Sequence, residues 1–97
     1  MSTLIQGNPW VWVVVQDPGG DEQFLGQHDK EKDVSYIPTF LEKEDASQCL
    51  NLLTRDENRK YEVQAIQYEQ LALDAAEHGF MLFVLNSAGE ILEKIKP

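Results

Sequence analysis

One cysteine and two histidines are the side chains best suited to nucleophilic, acid–base or metal chemistry in this chain, so their neighbours decide whether such chemistry is available. Cys49 is flanked by Gln48 and Leu50, with Ser47 before them, and none of these supplies a cation to stabilise a thiolate. It falls on an apolar helical stripe, where a free cysteine behaves as a small hydrophobe. His28 lies in a charged stretch beside Asp29, and His78 stands far along the chain next to Gly79, so the pair has neither H-x-H nor H-x-x-x-H ligand spacing. Asp21 with Glu22 and Glu44 with Asp45 are carboxylate pairs, but they occupy a turn and a helix start, where solvation is the default. A general acid needs an apolar pocket that raises its pKa. Pro18-Gly19-Gly20 lacks the lysine and following helix of a phosphate-binding loop, and Asn86-Ser87-Ala88-Gly89 precedes a strand, so both read as hairpin turns. These residues lead us to expect no catalytic site, no cofactor, no metal and no enzymatic activity.

Charge narrows the partners. Seventeen acidic residues against eight basic ones give a net charge of −9, a field that repels phosphate backbones and anionic lipid, so neither nucleic acid nor a membrane surface is expected. The same acidity favours solubility and steers any basic partner. The longest apolar runs, residues 10–15 and 80–85, are far shorter than the roughly 20 residues of a spanning helix. A single cysteine forms no internal disulfide, and no leader pattern precedes the first strand, which places the chain in the cytoplasm. Its 97 residues fit one domain, 1–97, with a modest core and with residues 1–8 lying loosely.

The elements follow from periodicity. Residues 10–16 are β-branched and aromatic, bracketed by Pro9 and by Asp17-Pro18-Gly19-Gly20, and read as a strand that turns back into a short second strand over residues 22–27. Residues 28–33 carry both signs of charge and read as a loop. A third strand, residues 34–40, contains Pro38, which cannot donate to a ladder and belongs at an edge or near the strand's end. Ala46, Cys49, Leu50 and Leu53 then recur at i, i+3, i+4 and i+7, one face of a helix whose start carries Glu42, Glu44 and Asp45 and whose end meets Arg55. Residues 61–66 alternate as a strand, and residues 69–78 form a second helix with Leu71, Ala72, Ala75 and Ala76 as its buried stripe and Gly79 as its left-handed C′ residue. Residues 80–85 are apolar on both faces, as an interior strand is, and residues 90–96 return as a charge-diluted edge strand. The order β-β-β-α-β-α-β-β implies an α+β domain: a mostly antiparallel sheet of five to six strands with both helices packed on one face.

Two segments carry a family resemblance. Tyr36-Ile37-Pro38-Thr39-Phe40, followed by the acidic helix start at Glu42, Glu44 and Asp45, is one. The other is the leucine and alanine helix from Leu71 to His78, then Gly79 and the apolar strand that closes on Asn86. Together they resemble the N-terminal domain of the SseB (enhanced serine sensitivity) family and small cyanobacterial proteins of comparable length. The resemblance implies an α+β fold and a bacterial cytoplasmic setting, and it assigns no reaction.

Function is therefore expected to be binding. Trp10, Trp12 and Val14 project from one face of the first strand, and Val11, Val13 and Val15 from the other. Valines suit a close helix contact, so the tryptophan face is expected on the side of the sheet away from the helices, where it is core if the N-terminal segment or a long loop covers it and an interaction surface for a protein partner or a second copy if nothing in the monomer does. The alternative is a small-molecule sensor or enzyme with a pocket lined by Trp10, Trp12, Tyr36, Tyr61 and Phe83.

Overall fold

The first strand, β1 (Trp10–Gln16), begins after Pro9 and ends at a turn in which Asp17 and Gly19 have positive φ, 55° and 81°. The Gly20 N–H donates to the Asp17 carbonyl at 3.1 Å and the Gly19 N–H to a Glu22 carboxylate oxygen at 3.0 Å, returning the chain into β2 (Gln23–Phe24). In a computed structural model that describes residues 2–97, this hairpin is followed by β3 (Gln27–Asp29), β4 (Val34–Thr39), α1 (Lys43–Cys49) with a 3-10 turn at Leu50–Leu52, β5 (Tyr61–Gln67), α2 (Tyr68–His78), β6 (Met81–Leu85) and β7 (Ile91–Ile95). The domain is α+β.

Local chemistry sets the helix ends. Glu44 and Asp45 occupy the first turn of α1, and Arg55 closes its far end by donating from Nη1 to the Leu50 carbonyl at 2.9 Å. The start of α2 is capped from a distance, since the Asn8 side-chain oxygen accepts the Glu69 N–H at 2.9 Å. Gly79 ends α2 at φ 75°, where its own N–H reaches the Ala76 carbonyl and the Phe80 N–H reaches that of Ala75. The turn between β6 and β7 is closed by Asn86, whose side-chain oxygen accepts the N–H groups of Ala88 and Glu90.

The strands form two sheets, β2-β1-β5 and β3-β4-β6-β7, rather than one sheet of five to six strands. The first is antiparallel throughout; the second holds β4 and β6 parallel. The sheets are stitched where Trp12 and Phe40 exchange backbone hydrogen bonds of 2.8 and 2.9 Å. Pro38 lies between the positions at which β4 pairs with β3 (residues 34–36) and Phe40 pairs with β1, so it sits near the strand's end where the chain changes neighbours.

The helices lie on opposite faces, not on one. Val11, Val13 and Val15 pack with Leu71 and Ala75 of α2, together with Ile37, Leu82 and Val84. On the other side, Val14, Phe40, Phe83 and Leu85 pack with Ala46 and Cys49 of α1, with Trp12 against that cluster. The reason is already in β1: a strand apolar on both faces needs a layer on each.

Residues 2–8 are docked, contrary to the expectation that residues 1–8 lie loosely; Met1 falls outside the described residues. Glu93 of β7 accepts hydrogen bonds from the Thr3 N–H (2.9 Å), the Leu4 N–H (3.0 Å) and the Ser2 hydroxyl (2.9 Å). The Ser2 hydroxyl in turn accepts the Ile5 N–H, and Ile5 is 4% exposed within the α2-side core. Burying such a side chain is worth about 1.5–3 kcal/mol, enough to hold a short terminal segment.

Candidate functional site

Cys49, His28 and His78 have structural surroundings. Cys49 is fully buried, and burial pushes its thiol above the ordinary range. His28 is held between the Ser35 hydroxyl (3.0 Å) and the Asp33 carboxylate (3.1 Å), and His78 folds back on the Asp74 carbonyl at 2.8 Å. Among the described residues, no group of three or more His, Cys, Asp or Glu is placed to hold a metal. No helix among them is long and apolar enough to cross a membrane.

Trp10, Trp12 and Val14 do not form one exposed surface. Val14 is 2% exposed and belongs to the α1-side core. Trp12 is half-buried beneath α1, with the Lys43 ammonium 5.7 Å from its ring centroid. Trp10, beyond the reach of α1, is 62% exposed. The helix expected on the other side is the reason: α1 covers the tryptophan face and leaves only the first residue of β1 open.

Of the five aromatics grouped as a pocket lining, four pack in one cluster and Trp10 stands apart from it. Tyr36 and Phe83 stack with ring centroids 4.1 Å apart, and they, Trp12 and Tyr61 belong to the packed α1-side cluster. Burial raises the Tyr36 phenol above its usual range, with the nearby Asp29 carboxylate adding to the effect. A groove of about 600 Å³ lies instead on the α2 side, between the β1–β2 hairpin and the end of α2, lined by Phe24, Phe80, Gln64, Glu22, Asp74 and His78. Sequence reasoning gave none of these residues that role, because strands and helix distant in sequence meet there.

Trp10 leads to β5, the feature that stands out at the level of the sheet. β5 pairs with β1 over all seven of its residues without a register shift, Trp10 opposite Gln67 through Gln16 opposite Tyr61. Both backbone groups of Trp12 are spent on Phe40 at the opposite edge, so Trp12–Ala65 is a non-hydrogen-bonded pair and the alternate pairs Val11–Ile66, Val13–Gln64 and Val15–Glu62 carry the ladder. The peptide groups of Val63 and Ala65 therefore point outward. No strand among the described residues pairs on that side, and the Ala65 side chain is exposed.

Other edges of the sheets are blunted and this one is not. β2 and β3 are only two and three residues long. β7 has a register irregularity against β6, carries Glu93 and Lys94, and is clasped by residues 2–4 through Glu93. β5 has no lysine, no proline and no bulge, and its one charged side chain is Glu62. The sequence signal for this edge is the clean run Tyr61–Gln67, set between Arg59-Lys60 and the start of α2.

Compared with family models, with curated proteins and with solved structures, the chain matches none.

Proposed function

We propose that this chain is a cytoplasmic protein-interaction domain with no reaction of its own, and that it binds by accepting a strand along the outer edge of β5. The observation that carries the reading is the row of backbone groups at Val63 and Ala65 that pair with no strand among the described residues, on a seven-residue strand without edge protection. Strand addition uses such a row directly: main-chain hydrogen bonds supply affinity, and side chains on either face supply selectivity. Exposed Trp10, on the strand next to Gln67 and Ala65, offers an aromatic anchor at one end of the edge. The resemblance of residues 36–46 and 71–86 to SseB domains supports a bacterial setting.

The test is titration with a synthetic extended peptide of the β5 sequence, Tyr61–Gln67, followed through backbone amide resonances. The Val63 and Ala65 amides are expected to shift and to gain exchange protection while Val11 and Val13 stay unchanged. No change at millimolar peptide overturns the reading.

A second reading is favoured by the α2-side groove. Its aromatic walls, Phe24 and Phe80, beside the carboxylates of Glu22 and Asp74 suit a small organic cation with an apolar part. A thermal-shift screen of amines decides it, since a ligand at about 100 times its Kd stabilises the fold by about 2.7 kcal/mol.

A further inference from the structure

Resting on the reading of β5 as a docking edge, we propose that its occupant is a second copy of the chain, paired β5 to β5 antiparallel about a twofold axis through Gln64. The parity of the ladder selects this register. Outward-pointing peptide groups belong to the odd-numbered residues of β5, so a hydrogen-bonded pair across the new contact must join two odd positions. Centring on Gln64 sets Val63 against Ala65 of the second copy and Tyr61 against its Gln67, for up to about eight backbone hydrogen bonds. Centring on Val63 or on Ala65 leaves an end unpaired and yields about six.

Charge agrees with the same arrangement. Glu62, the one charged side chain in the strand, faces Ile66 of the second copy, so no like charges oppose each other. Arg59 is held by Asp17 and Asp56 of its own copy, so Lys60 is the cation left before β5, and antiparallel pairing brings it beside Glu69, which follows β5 in the other copy. The overall charge of −9 opposes association at long range. A contact limited to one strand edge also lies below the roughly 1,200 Å² at which standard interfaces begin. The dimer is accordingly concentration-dependent, forming a continuous sheet in the order β2-β1-β5-β5-β1-β2.

Site-directed crosslinking with sedimentation tests this. In the proposed register the two Gln64 Cα atoms form a non-hydrogen-bonded pair about 4.5 Å apart, within the range of a disulfide, whereas two Glu62 Cα atoms are more than about 10 Å apart. Cys49, buried and with its thiol pushed up by burial, stays out of the reaction. We expect Gln64→Cys to crosslink under mild oxidation and Glu62→Cys not to, with the wild-type mass rising from 11.1 kDa towards twice that value as concentration increases. Crosslinking of Glu62→Cys in preference to Gln64→Cys overturns the register. A wild-type monomer at every concentration, with neither variant crosslinking, overturns self-pairing. If the β5 peptide still protects Val63 and Ala65 in that case, the edge accepts a strand from a different protein and only the second-copy assignment falls.

Discussion

Replacing Ile5 with alanine tests whether the N-terminal segment is part of the folded domain. Ile5 is 4% exposed and lies in the same cluster as Val11, Leu71 and Leu82, some of the most deeply buried residues in the chain. Truncating a buried isoleucine to alanine costs about 2–5 kcal/mol, the lower end applying where the surroundings relax or water enters. A terminal segment held from one side relaxes readily, so the expected loss is about 2 kcal/mol, a large share of the roughly 5–15 kcal/mol that stabilises a domain. In a chain of this length that lowers Tm by about 10 °C. The assay is urea unfolding followed by tryptophan fluorescence, with thermal melts by circular dichroism as a second measure. A loss within about 0.5 kcal/mol, the usual effect of an exposed substitution, refutes the docking of residues 2–8 and with it the role assigned to Glu93.

Three further outcomes follow from particular contacts. The Leu4 N–H foremost, then the Thr3 N–H and the Ser2 and Thr3 hydroxyls, hold the Glu93 carboxyl below the usual carboxylate range. A depressed pKa means that the clasp is fully present above the unfolded value of about 4.3 and is lost as pH falls through the lower folded value. Protection factors at Thr3 and Leu4, with the intrinsic pH dependence of exchange divided out, are therefore expected to fall on acidification, and Glu93→Gln removes that fall. Trp10→Phe is expected to delete the red-shifted, readily quenched part of the emission and leave the shielded signal of Trp12, with stability changed by less than about 0.5 kcal/mol; equal quenching of both tryptophans contradicts the placement of α1. Gly79→Ala places a β-carbon at φ 75° where no neighbour crowds it, so its net cost of about 1 kcal/mol, read by urea unfolding, reports backbone conformation and not a steric clash.

Much of the local structure was legible because single residues dictate it. The bounds of β1 follow from Pro9 and the Asp17–Gly20 turn, and Gly79 ends α2 in the left-handed conformation that its place after the alanine stripe implies. The one strand expected over residues 22–27 is two short ones, and residues 28–29 of β3 read as loop from the sequence because the ladder with β4 is made by backbone groups, which leave no periodicity in His28-Asp29. The placement of the helices on two faces is implied by the apolar residues on both sides of β1, a signal that outweighs the habit of a one-faced antiparallel sheet. The docking of residues 2–8 depends on Glu93 and Asn8 reaching across nearly the whole chain, and no local pattern announces such a pairing. As for the candidate site, the aromatic strand drew attention to Trp10, but which edge is open depends on strand order, and strand order is a property of the assembled sheet.

The most direct measurement is amide hydrogen exchange at Val63 and Ala65 as protein concentration is raised. These two outward amides are expected to exchange quickly in dilute solution and to slow progressively with concentration, while Val11 and Val13, already bonded within the sheet, do not change. Exchange at Val63 and Ala65 that stays fast at every concentration, and stays fast with the β5 peptide added, contradicts a docking edge at β5.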